Sequence, residues 1–171
     1  MIADPAHRGR ALAGFFAEVV PRLWSDLIES GVMPAAADDA AVHRARIEFD
    51  CFLLYACVRG LVAAGGFNQE TGAAIDALHE AVLEQWMSEA ADLEAFQARR
   101  TLVAERYAEY GAIGQAGGAA GAGTVPARLG LAAARHMTLE DEPGAPLAEL
   151  TGALHETLVE GAAEAVRIGG E

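Results

Sequence analysis

The segment from Cys51 to Val62, with the sequence CFLLYACVRGLV, constrains the fold more than any other part of the chain. Its residues are apolar nearly all round a helical wheel, whereas the preceding segment HRARIEFD is charged and Gly65-Gly66 ends the pattern. A helix without a polar face must be covered by protein on every side. We therefore expect a helix over about residues 39–64 to lie at the centre of the fold.

The other long segments also carry apolar residues at helical spacing. No alternating β-branched run and no Asn-Gly or Asp-Gly turn indicates a strand. The chain, residues 1–171, is therefore predicted to be one all-α domain, a bundle of six or seven helices around the central helix. The Gly/Ala-rich segment 114–124 is predicted to be flexible, or at least irregular.

Several helix ends are marked by residue type. Asp4, Asn68 and an aspartate at Asp38 or its neighbour are expected N-caps, because their side chains can accept hydrogen bonds from free backbone N–H groups. Gly31 should follow the end of the first helix. Pro21 lies inside that helix and should kink or split it.

Charge restricts the classes of partner. The chain has 25 Asp plus Glu against 12 basic residues, all of them Arg, and a formal net charge of -13. Such a surface repels phosphate backbones and anionic lipid head groups, so neither nucleic acid nor a membrane is an expected partner. The lack of Lys removes Schiff-base catalysis and the phosphate-binding P-loop.

Cysteine usage and hydropathy predict a cytoplasmic protein. Cys51 and Cys57 are the only cysteines, and their spacing on one helix prevents a disulfide between them. They are expected to be buried, reduced thiols. The apolar run from Cys51 to Phe67 contains Arg59 and is marginal for a membrane span, and the N-terminus has no signal-peptide core.

Two near-copies of a Leu-His-Glu sequence raise the question of a metal site. ALHEAVLE spans residues 77–84 and ALHETLVE spans residues 153–160. Asp76 precedes His79 at the acid-x-x-His spacing of di-iron bundles, but Gly152 occupies the matching place before His155. We interpret the similarity as a coincidence of composition, and we predict no metal and no cofactor.

Both histidines are expected at the edges of apolar stripes, with Glu80 and Glu156 exposed. A metal-dependent enzyme remains as a less favoured alternative. It would use five residues: Asp76, His79, Glu80, Glu84 and His155.

Tyr55 and Arg59 on the central helix, with Arg100 and Tyr107 on the fourth, are the candidate ligand-binding residues. If the two helix faces meet, these guanidinium and phenol groups would suit a small anionic or aromatic ligand. The alternative is that the tyrosines are core rings and the arginines pair with nearby carboxylates. We expect Arg59 to lie within salt-bridge distance of a carboxylate from another helix. Local i,i+4 pairs are expected for Arg44 with Glu48 and for Arg46 with Asp50.

The favoured function is binding without catalysis, through self-association or a protein partner. The wide apolar stripe of the first helix and the apolar second helix give more apolar surface than a small bundle easily covers, so a homodimer is expected. The first two helices are the expected contributors. The alternative is a bundle that binds a small anionic or aromatic molecule.

Overall fold

A computed structural model describes residues 4–35, 38–121 and 125–168. Every regular element in this part of the chain is an α-helix, which confirms the predicted fold class. The six helices are α1 (Pro5–Glu29), α2 (Asp39–Gly65), α3 (Gln69–Glu89), α4 (Leu93–Gly121), α5 (Val125–Thr138) and α6 (Ala145–Ile168).

Helix α2 packs against each of the other five helices, so the predicted central helix is confirmed. The consecutive residues Cys51, Phe52, Leu53 and Leu54 are all fully buried, although they point in four different directions from the axis. Burial on all sides is possible because α1, α3, α4, α5 and α6 surround α2. The central position of α2 therefore agrees with its sequence, which is apolar on all sides of the helix.

Two of the three predicted N-caps are confirmed, whereas the side chain of Asp4 makes no capping hydrogen bond at the start of α1. The Asp38 carboxylate accepts a hydrogen bond from the Ala41 backbone N–H at 2.8 Å, and the Asn68 side-chain oxygen accepts from the Thr71 N–H at 2.9 Å. Gly66 stops α2 with a φ of 74°, a left-handed conformation that glycine adopts without steric cost. These local signals fix where α2 and α3 begin and where α2 ends.

Two helices continue through segments where the sequence predicted an interruption. Pro21 does not split α1, which is continuous from Pro5 to Glu29. Pro21 is exposed, and the buried residues Val20 and Leu27 hold both sides of it against the core.

Helix α4 runs through the Gly/Ala-rich segment as far as Gly121, since alanine favours the extension of a helix already formed. Flexibility of this segment stays a prediction, and residues 122–124 lie outside the described residues.

Buried ion pairs join α2 to α4. Glu48 accepts two hydrogen bonds from Arg106, from Nε and from Nη2, each at 2.7 Å. Asp50 accepts from Arg46 and from Arg99, each at 2.6 Å. The Arg46–Asp50 prediction is thus confirmed, whereas the Arg44–Glu48 prediction is wrong because the carboxylate of Glu48 is taken by α4.

Glycines allow helix backbones to touch at the closest crossings. At Gly9 of α1, an added Cβ would overlap the carbonyl oxygen of Ala74 and would lie 2.8 Å from the backbone nitrogen of Leu78, both on α3. At Gly130 of α5, it would overlap the carbonyl oxygen of Ala148 on α6. Only a residue without a side chain fits at these two crossings.

Among the helices described, none is both long enough and apolar enough to cross a membrane.

Candidate functional site

Tyr55 and Tyr107 meet between α2 and α4, so the condition on which the sequence-based candidate site depended is fulfilled for these two residues. Their ring centroids are 5.4 Å apart at an interplanar angle of 65°, an edge-on arrangement favoured by aromatic quadrupoles. Tyr110, one turn further along α4, lies 5.5 Å from Tyr55 and 5.2 Å from Phe52. The rings form a continuous aromatic cluster in the core.

Arg59 lies beside this cluster, one turn after Tyr55 on α2. Its Nη1 is 3.6 Å from the Oε1 of Glu156 on α6, which confirms the predicted ion pair with another helix. Both side chains are partly exposed, so the pair is screened by solvent and its contribution to stability is small. Burial raises the pKa of Tyr55, and the charge of Arg59 partly opposes that shift.

Arg100 is not part of the cluster. Its side chain is exposed, and its guanidinium carbon lies 5.9 Å from the ring centroid of Phe96 on the same helix. Two turns of helix, about 10 Å along the axis, separate it from Tyr107. A shared helix face therefore does not bring Arg100 to Tyr55. Ligand binding by Tyr55, Arg59 and Tyr107 stays a prediction.

The two histidines of the Leu-His-Glu copies approach the same cluster from opposite sides. His79 Nε2 shares a hydrogen bond of 2.9 Å with the Tyr107 hydroxyl, and the His155 ring lies 6.0 Å from Tyr55. The predicted boundary position is wrong for His155, which is fully buried against Phe52. The spacing in the sequence could have indicated this burial, because His155 lies on one helical stripe with other buried residues, namely Thr151, Leu158 and Ala162.

The cluster is electrically neutral near pH 7. Burial raises the pKa of the Tyr107 and Tyr110 phenols, and it raises the pKa of the Cys51 and Cys57 thiols to about 12. Groups held in these protonated forms are poor nucleophiles and poor general bases. Within the described residues, no three His, Cys, Asp or Glu side chains are grouped so that they could hold a metal ion.

His155 should make stability depend on pH. Burial, with a smaller contribution from the charge of Arg59, lowers its pKa to about 3. The unfolded chain, with a pKa near 6.5, therefore binds the proton first as pH falls, and the folded state loses stability between about pH 6.5 and 3. From pH 7 to pH 5 the loss should be about 2 kcal/mol.

The measurement is urea unfolding at both pH values for the wild type and for His155→Phe, which keeps an aromatic ring against Phe52. The wild type should lose more stability than the variant over this range. Equal losses would show that His155 is protonated as readily in the folded protein as in the unfolded chain.

A groove, absent from the sequence-based predictions, opens where three helices end. We call it the α1–α2–α5 groove; its volume is about 610 Å³. Its walls come from the C-terminal end of α1, the following loop, the first turns of α2 and the end of α5. The lining residues are Trp24, Ile28, Met33, Pro34, Ala35, Ala41, Val42, Arg44, Ala45, Met137, Thr138 and Glu140.

The polar groups of the groove are few. Arg44 is exposed at the wall and forms no salt bridge or side-chain hydrogen bond with any residue of the described ranges. Glu140 lines the groove as the single carboxylate. The Thr138 hydroxyl already donates to the Ala134 carbonyl at 2.9 Å. Among the described residues that line this mainly apolar groove, Arg44 is the one cation. It lacks its expected partner because Glu48 is paired with Arg106 instead.

Comparison with known proteins gives no relative: no family model, no curated protein and no solved structure matches this chain.

Proposed function

We propose that the protein binds, without catalysis, a small amphipathic anion in the α1–α2–α5 groove. Such a ligand has an apolar body, which would occupy the groove, and a carboxylate, which would contact Arg44. The observation that carries the proposal is a mainly apolar groove with an unpaired guanidinium at its wall. The ligand site proposed here differs from the one that the sequence suggested at Tyr55 and Tyr107.

The size and lining of the groove favour a small molecule. Binding sites for such ligands have volumes of roughly 300–1,000 Å³ and are lined mainly by apolar side chains with a few polar groups. The groove has about 610 Å³, and Trp24, Ile28, Met33 and Met137 supply large apolar surfaces. Methionine side chains adapt to ligands of different shape, so the groove can accept ligands whose apolar parts differ.

The charge of the groove favours an anion. Arg44 can donate two parallel hydrogen bonds to a carboxylate, a geometry that a lysine ammonium does not provide. Glu140, in the loop after α5, also lines the groove and opposes any second negative charge, so a monoanion fits better than a dianion. The same carboxylate provides a sensitive test, since its removal should strengthen the binding of an anion.

Trp24 lines the groove and reports on its contents by fluorescence. Three probes share one apolar chain and differ in the head group: decanoate, decanol and decylammonium. We expect decanoate to bind most tightly. Arg44→Gln should weaken decanoate about tenfold, which corresponds to about 1.4 kcal/mol, and should leave decanol unchanged. Glu140→Gln should strengthen decanoate.

Arg22→Gln is the matched control, because Arg22 is also exposed and lies near the end of α1, but pairs with Glu18 outside the groove. It should leave all three affinities unchanged. Tighter binding of decylammonium than of decanoate, or an equal loss for Arg22→Gln and Arg44→Gln, would refute the assignment of an anion to this groove.

Self-association is the second candidate, and one observation favours it. Ile28 and Val42 are exposed at the groove, on the two helices expected to form a homodimer. Leu139, which is also exposed, stands in the chain between the lining residues Thr138 and Glu140. Against it, a second copy would bring another chain of formal charge -13 to this surface. Sedimentation equilibrium tests it: a dimer that Ile28→Asp converts to a monomer would favour self-association over ligand binding.

A cytoplasmic location of the protein likewise stays a prediction.

A further inference from the structure

Two methionines line the α1–α2–α5 groove. They are Met33 and Met137, and three of the four methionines of the chain lie in the described residues. The third, Met87, is near the end of α3, is 54% exposed and lies outside the groove. A thioether accepts an oxygen atom from a peroxide, which converts an apolar side chain into a polar one. Oxidation of a groove methionine would therefore change the surface that a ligand contacts.

The cysteines do not compete with the methionines for a peroxide. Cys51 and Cys57 are fully buried, and burial raises the pKa of both thiols to about 12. A peroxide reacts with the thiolate, not with the thiol, and almost no thiolate is present at pH 7 when the pKa is so high. A thioether carries no proton, so its reaction depends on access alone. The oxidisable sulfur atoms of the described residues are thus those of the methionines.

Met33 is the more accessible of the two groove methionines. It stands in the connection between α1 and α2, where its side chain packs against the core and is half-buried. Met137 belongs to α5 and is only 2% exposed. A peroxide therefore reaches Met33 more readily than Met137. A polar group on Met33 also leaves the helices intact, since this residue belongs to neither α1 nor α2.

We propose that Met33 is an oxidation site through which hydrogen peroxide regulates ligand binding in the groove. The peroxide transfers one oxygen atom to the Met33 sulfur as its O–O bond breaks. The sulfur is oxidised by two electrons, and the rest of the peroxide leaves as water. A methionine sulfoxide reductase reverses the step, with two thiols forming a disulfide and the oxygen leaving as water.

The sulfoxide weakens binding because its oxygen is a strong hydrogen-bond acceptor. In the empty groove this oxygen is hydrated, whereas a bound apolar chain would separate it from water without providing a donor. The unmodified thioether has no such cost, since it makes favourable contacts with apolar groups. This regulation rests on the proposed binding of an amphipathic anion in the groove.

Treatment with hydrogen peroxide, followed by peptide mass spectrometry and isothermal titration with decanoate, tests the site. The exposure of the three side chains predicts that Met87 is oxidised first, then Met33, and Met137 last. Oxidation of Met33 should weaken decanoate about tenfold, and a methionine sulfoxide reductase with dithiothreitol should restore the affinity. Bound decanoate should slow the oxidation of Met33 but not that of Met87, which lies outside the groove.

Three variants assign the effect to one sulfur atom. Met33→Leu keeps an apolar side chain of similar volume that a peroxide does not oxidise, so the treated variant should keep its affinity for decanoate. Met87→Leu is the matched control, and after treatment it should lose affinity as the wild type does. Met33→Gln places a polar group at the same position and should weaken decanoate without any peroxide.

Equal losses of affinity in treated Met33→Leu and treated wild type would overturn the assignment to Met33. Retention of affinity in treated Met137→Leu would overturn it as well, because the buried methionine would then be responsible. Neither result would affect the binding of decanoate through Arg44. Untreated protein that does not bind decanoate would instead refute the proposed function of the groove, and its regulation with it.

Discussion

Replacing Gly9 with alanine should destabilise the protein by about 3 kcal/mol or more. The new Cβ would overlap the carbonyl oxygen of Ala74 and lie 2.8 Å from the Leu78 nitrogen and from the Ala77 Cβ. Two of these three atoms belong to the α3 backbone, so no change of side-chain rotamer relieves the overlap. The helices α1 and α3 would have to move apart and leave voids along their whole contact.

Gly14→Ala is the control on the same helix. An added Cβ at Gly14 meets nothing within 4 Å, and alanine favours a helix by roughly 0.5–1 kcal/mol over glycine. We expect opposite signs for the two changes in the free energy of unfolding, measured by urea denaturation with circular dichroism. Stabilisation of both variants by the same amount would show that helix propensity, not the crossing of α1 and α3, decides the result.

Replacing Arg106 with methionine should cost about 3–5 kcal/mol, because it leaves the buried carboxylate of Glu48 without its two charge-assisted hydrogen bonds. The cost comes from the carboxylate that remains, since a buried ion pair by itself contributes little relative to apolar side chains of the same size. Removing both charges should therefore recover much of the loss. We expect Glu48→Met combined with Arg106→Met to be more stable than Arg106→Met alone.

The control for this prediction is Arg22→Met. Arg22 also donates to a glutamate, Glu18, at 2.9 Å, but both side chains are mostly exposed. Loss of such a pair typically changes stability by less than about 1 kcal/mol. Thermal or urea unfolding of the wild type and the three variants tests both points, and an equal cost for Arg22→Met and Arg106→Met would contradict the role assigned to burial.

The sequence alone determined the helices and the central position of α2. Helix period, the caps at Asp38 and Asn68 and the stop at Gly66 act within a few residues, so they can be recognised without the rest of the fold. Because α2 is apolar on all sides, other helices had to pack around it, although the sequence pattern does not say which helices these are. The contact of Tyr55 with Tyr107 was left open by the sequence, because it depends on how α4 packs against α2.

Only the tertiary structure decided which polar groups have partners. Glu48 could pair with Arg44 one turn away or with a distant arginine, and the packing of α4 on α2 selected Arg106 and left Arg44 at the groove. His155 became a core residue because α2 covers its stripe on α6. Side chains with several possible partners pair according to long-range packing. The groove itself exists because the end of α5 meets the connection between α1 and α2, which lies far from it in the chain.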